Sequence, residues 1–145
     1  MTPITGSTEI SRPPEEVWAY IDDVTRHTEW QHGLEQVELE SGSGVGARVK
    51  ETRHVPGGRR TFVYEVTEHD PPRRVSFRVL DGPIRPYGTM TLAPAGDGSA
   101  TTVDFEMDFE GHGFGKVLLG LVRHDARKLV PQDLASLKQR LETGS

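Results

Sequence analysis

The sequence contains no cysteine. Neither a disulfide framework nor a thiolate metal site is therefore available, and packing alone must hold the fold. Long apolar runs are also missing: no stretch approaches the roughly 20 residues of a membrane span. The opening Met1-Thr-Pro-Ile-Thr lacks the basic, apolar and small-residue succession of a signal peptide. These absences predict a cytoplasmic protein with no membrane span. There is no basic excess either. The net charge is -5, with both signs scattered along the chain, which excludes the cationic stripe that a phosphate backbone demands, so no nucleic acid is expected as a partner.

Glycine and proline, by contrast, are abundant, and they punctuate the chain. The 145 residues are the size of one domain, residues 1–145, able to bury about 70% of the unfolded surface. Ile4 to Ile10 reads as a first strand, closed by Ser11-Arg12-Pro13-Pro14. Glu15 and Glu16 then suit the first turn of a short helix with Val17, Ile21 and Val24 on its inward face. A second helical turn fits Thr25 to Trp30. From Leu34 the pattern has period two. Breaks fall at Ser41 to Gly46, Pro56-Gly57-Gly58, Asp70-Pro71-Pro72, Asp81-Gly82-Pro83 and Pro94 to Gly98, separating six strands of an antiparallel meander. Val75, Phe77 and Val79 share one face, as do Phe62, Tyr64 and Val66, and Val103, Phe105, Met107 and Phe109. Opposite the last group, Thr102, Asp104, Glu106 and Asp108 form an acidic ladder that belongs in water. A one-sided sheet needs a cover, and only the last segment is long enough.

That segment, Gly113 to Glu142, reads as one amphipathic helix of roughly 45 Å. Phe114, Leu118, Leu121, Asp125 and Gln132 fall on one line, and Val130, Leu134, Leu137 and Leu141 about half a turn away. Pro131 sits at the changeover, so a bend or restart is expected there. The leucines would clamp the sheet. The first half would stand over a cavity tolerating Asp125. The third strand carries Glu51 and Arg53 in the inward phase of Ala47, Val49 and Val55, so either a bulge flips them outward or they line a wet cavity.

The chain resembles the START-like superfamily, the helix-grip fold that includes polyketide cyclases, ring-hydroxylase catalytic domains and the birch-pollen-allergen type. The residues that carry this are Glu9 to Trp18, Asp22, Trp30, Val66 to Val75, and Leu134, Leu137, Leu141 and Glu142; the first block looks like the bacterial polyketide cyclase/dehydrase branch. The resemblance implies an α+β fold, a seven-stranded antiparallel curved sheet with two short helices and a long C-terminal helix across its concave face. It also implies a cavity for a hydrophobic small molecule, such as a polyketide, lipid or isoprenoid.

Glu51, Arg53 and Asp125 are the candidate catalytic groups: a buried carboxylate serves as acid or base, and a guanidinium orients a carboxylate or enolate oxygen. A structural ion pair or plain surface residues are the alternative. Trp30, Phe77, Met90, Phe105, Met107, Leu118 and Leu121 are candidate ligand-binding walls, Tyr64 and Tyr87 candidate hydrogen-bond donors, and Phe114 a gate beside the glycines of Gly111 to Gly115. Asp23, His27 and His32 resemble, with altered spacing, the iron-binding run of the ring-hydroxylating relatives. Without a cysteine-bearing second domain they read as solvated histidines, and no metal or other cofactor is expected. Binding of a hydrophobic molecule is the favoured reading. A metal-independent polyketide cyclase/dehydratase and an accessory protein docking through its acidic ladder are the alternatives, as monomer or homodimer.

Overall fold

The computed structural model describes residues 2–144. Strand β1 (Ile4–Ile10) runs into Pro13 and Pro14, and Pro14 opens helix α1 (Pro14–Asp22), where a missing N–H costs nothing. The Asp23 side chain accepts from the Thr25 amide and caps a 3-10 turn over Val24–Glu29. The hydroxyl of Tyr20, its pKa pushed up to about 12 chiefly by burial, donates to Glu29 and ties that turn to α1. Six strands follow: β2 (Leu34–Ser41), β3 (Arg48–Val55), β4 (Gly58–Asp70), β5 (Arg74–Val79), β6 (Ile84–Ala95) and β7 (Ala100–Gly111). Their breaks are the expected glycine and proline clusters. The sheet order is β1-β7-β6-β5-β4-β3-β2, antiparallel throughout.

Helix α2 (Gly115–Thr143) is continuous, and it ends at Gly144 in the left-handed region at φ 72°. Here the structure corrects the sequence. Pro131 lies inside α2 without interrupting it. It faces solvent, as does Arg127, whose carbonyl it frees, so water can take over the missing bond. Nor are there two buried stripes. Arg123, Ala126, Val130, Leu134, Leu137 and Leu141 form a single buried line, while Phe114, Leu121 and Gln132 point outward and Leu118 and Asp125 are half-buried. Apolar periodicity missed this because Arg123 is a charged member of the buried line: it pairs with Asp108 and donates to the Thr2 carbonyl at 2.8 Å. Asp108 is accordingly withdrawn from the acidic ladder, of which Asp104 and Glu106 remain exposed.

Helix and sheet approach closely at Gly6, where an added Cβ would stand 2.8 Å from Leu134 Cδ1 and Val130 Cγ1. Around that contact the two ends of the sandwich differ. At the lower end, near the β6–β7 turn, Ile10, Val17, Val103 and Leu137 are all 0% exposed. The upper end, where β7 enters α2, leaves Phe62, Phe77, Met107, Phe109 and Leu118 half-buried. Antiparallel partners share a face, so these strand side chains look toward the concave side.

Candidate functional site

Strand β3 pairs with β4 without a register shift, so nothing flips Glu51 and Arg53 outward; they remain in the inward phase of Val49, with Phe62 opposite Glu51 and Tyr64 opposite Val49. Glu51 is 9% exposed. Arg53 Nε donates to Glu51 Oε1 at 3.1 Å, and Nη2 to Gln31 Oε1 at 2.6 Å and Glu51 Oε2 at 3.3 Å. The pair offsets the cost of withdrawing two ions from water, and Arg53 Nη1 is left without a protein acceptor among the described residues.

Gln31 follows Trp30, and Trp30 is the anomaly of this wall. Its side chain is buried, and its indole Nε1–H has no acceptor, a donor whose desolvation costs about 1–3 kcal/mol. The ring stands edge-on to His27 at 5.7 Å. His27 Nε2 bonds the Ile21 carbonyl at 2.7 Å, and burial lowers the imidazole pKa, so the neutral ring donates there.

Tyr64 packs edge-on against Phe77, with centroids 5.5 Å apart. Burial first, and then the Glu51 charge, push its hydroxyl pKa well up; the phenol stays a proton donor, with no protein partner among the described residues. From α2 the carboxylate that feels Arg53 is Asp133. Its Oδ1 accepts from the His32 amide and Nδ1, both at 2.7 Å; burial raises its pKa, and the His32 bonds and the Arg53 charge oppose the rise.

The structure thus brings Glu51, Arg53 and Tyr64 together and places Trp30, Phe77, Met90, Phe105 and Met107 on the same concave surface. Asp125 is not in that cluster. It lies off the buried line of α2, half-exposed, two turns before Asp133. Tyr87 is on the outer face opposite Arg78 and Asp108, because β6 runs past Pro86 and Gly88 with no bulge to rephase it. Phe114 and Leu121 point away from the sheet, and Leu118 borders it. Asp23, His27 and His32 do not converge; each is engaged separately, with Thr25, Ile21 and Asp133. Sequence reasoning missed Gln31 and Asp133, and it read His32 as a solvated histidine without its partner Asp133. Asp133 carried one legible signal, its position beside Leu134 on the rim of the leucine line, whereas Gln31 is recruited by a contact 22 residues away in sequence.

At the upper end, Gly115 starts α2 so close to the β5–β6 loop that an added Cβ would sit 1.9 Å from the Pro83 carbonyl oxygen. The His112 amide donates to the same oxygen at 2.8 Å. Two open clefts elsewhere are polar: one on the outer face includes Thr5, Ser7, Thr89 and Asp104, and one beside the 3-10 turn includes Thr25, Gln36 and Lys50. Both lack the greasy lining of the concave surface. No helix among the described residues is long and apolar enough to cross a membrane.

The architecture is the START-like helix-grip fold. Residues 1–142 match the family described as polyketide cyclase / dehydrase and lipid transport. An uncharacterized protein of Mycobacterium tuberculosis is 27% identical over 146 aligned positions, covering 98% of each chain. A solved structure from Thermus thermophilus superposes with a TM-score of 0.82 at 24% identity, covering 99% of each chain. The Zhui aromatase/cyclase of a Streptomyces species superposes with a TM-score of 0.76 at 18% identity, covering 98% of this chain and 92% of that one.

Proposed function

The chain belongs to the polyketide cyclase/dehydrase and lipid transport family, and on that premise we propose that it binds a hydrophobic molecule bearing a neutral carbonyl oxygen, such as a polyketide or an isoprenoid-like compound, between the sheet and α2. One observation carries the reading: the buried, unpartnered Trp30 N–H, in the residue that precedes Gln31 of the Arg53–Glu51–Gln31 cluster. Trp30 N–H, Tyr64 O–H and Arg53 Nη1 are donors in want of an acceptor, and the aromatic and methionine side chains around them suit a flat or greasy body. The guanidinium is already neutralised by Glu51, and Asp133 adds negative charge nearby. A carboxylate guest would therefore meet uncompensated repulsion, whereas a ketone would not.

The same groups support catalysis as a second reading. The Glu51 carboxylate can take a proton from the carbon beside a carbonyl, while Arg53 and the un-ionised Tyr64 hydroxyl stabilise the enolate oxygen. The specific observation in its favour is Tyr64, held protonated by burial and by Glu51.

Titration with the fluorescent apolar ketone prodan tests the binding reading. Trp30→Phe keeps the ring and removes the donor, so the ketone should bind about tenfold more weakly while an apolar hydrocarbon of similar shape binds unchanged. Equal affinity of both proteins for the ketone would refute the assignment. For catalysis, Glu51→Gln should abolish turnover of a poly-β-ketone substrate while binding persists; undiminished turnover would remove Glu51 from the mechanism.

A further inference from the structure

The outward side of the first half of α2 is unlike the rest of the surface. Phe114, Val117 and Leu121 are 67%, 84% and 53% exposed, and their spacing of three and four residues lines them up along the helix. The same line continues through His124 to Lys128, with Arg127 on its flank. Arg127 and Lys128 are exposed and, among the described residues, take no part in the ion pairs of α2, which are made by Arg123, Asp133, Lys138 and Glu142. The half-buried Asp125 is the only acid between Lys116 and Lys128. A chain of net charge -5 thus sets two cations with no ion-pair partner among the described residues beside an exposed apolar stripe, while Asp104 and Glu106 sit on the opposite, outer face of the sheet.

We propose that this face docks on an anionic lipid bilayer, with Phe114, Val117 and Leu121 entering the boundary between headgroups and acyl chains and Arg127 and Lys128 reaching the phosphates. Apolar residues flanked by long cationic side chains have the composition of an interfacial helix, and the cations match a negative leaflet. A second copy of the chain fits less well. A two-fold contact brings the same patch against itself, which would set His124, Arg127 and Lys128 against their equivalents with only Asp125 in opposition. The docked orientation turns the acidic outer face away from the bilayer and lays the start of α2, beside the open upper end of the sandwich, on the lipid. The proposal goes beyond ligand binding and is separable from it.

Co-sedimentation of the full chain with vesicles tests it. Vesicles of phosphatidylglycerol and phosphatidylcholine should bind at least about tenfold more strongly at low salt than phosphatidylcholine alone, and the excess should fall as salt rises. Because the residues are exposed, F114S/V117S/L121S and R127Q/K128Q should keep the far-ultraviolet spectrum and melting temperature of the parent while each loses about tenfold or more of the binding. Trp30→Phe should bind vesicles as the parent does, which separates failure here from failure of the ketone assignment. Equal binding to neutral and anionic vesicles, no binding to either, or undiminished binding by both surface variants overturns the proposal. So does a parent dimer that F114S/V117S/L121S converts to monomer on gel filtration, since the stripe is then covered by a second copy.

Discussion

The two ends of the sheet and helix sandwich are built from the same strands and the same helix, yet they are finished differently. Below Gly6, aliphatic side chains from β1, α1, β7 and α2 close on one another until none is exposed. Above it, aromatic and methionine side chains remain half-buried, and charged and amide groups from β3 and the loop after the 3-10 turn enter the same face. Close packing stabilises through contact with every neighbour. A half-buried, partly polar region forgoes part of that contact. One fold thus separates the residues that hold it from those to which the proposed function assigns recognition of a guest.

This division can be broken most forcefully from the closed end. Leu137→Ala, at a position that is 0% exposed, should cost about 2–5 kcal/mol, read as a lower denaturant midpoint with ketone affinity retained at temperatures where the protein stays folded. Gly6→Val should cost about 1–3 kcal/mol by overpacking against Val130 and Leu134, and a lower melting temperature would show it. Next comes pH. Burial lowers the folded-state pKa of His27, so its contribution is present above the unfolded value of about 6.5 and is lost as pH falls through the folded one, at up to about 1.4 kcal/mol per pH unit. His27→Gln, which can still donate to Ile21, should flatten melting temperature between neutral and mildly acidic pH; an unchanged slope would show that another group titrates. The smallest loss belongs to the open end. Met107→Ala should cost about 1 kcal/mol while changing which apolar ketones bind, a pattern opposite to that of Leu137→Ala.

Most of the frame was legible from residues. Glycine and proline set the strand limits, alternation chose the faces, and the inward phase of Glu51 and Arg53 followed from Val49. The failures share a cause: they occur where a charge does the work of an apolar residue or where a contact is made far along the chain. Arg123 completes the buried line of α2 only because Asp108, on another element, neutralises it. Without that partner in view, Phe114 and Leu121 supplied a false line. Asp125 was chosen over Asp133 for the same reason. Tyr87 shows the reverse: its own alternation was correct, and only an invoked bulge would have turned it inward.

The seating of Gly115 on Pro83 has one more consequence. Since the β5–β6 loop and the first turn of α2 touch backbone to backbone, with His112 bonded to the same carbonyl, they form one lip that cannot be trimmed on a single side. If a guest binds between sheet and helix as proposed, admitting a bulkier one past this lip would require both segments to travel together, so engineered variants with broader appetite should carry paired changes in the loop and at the helix start.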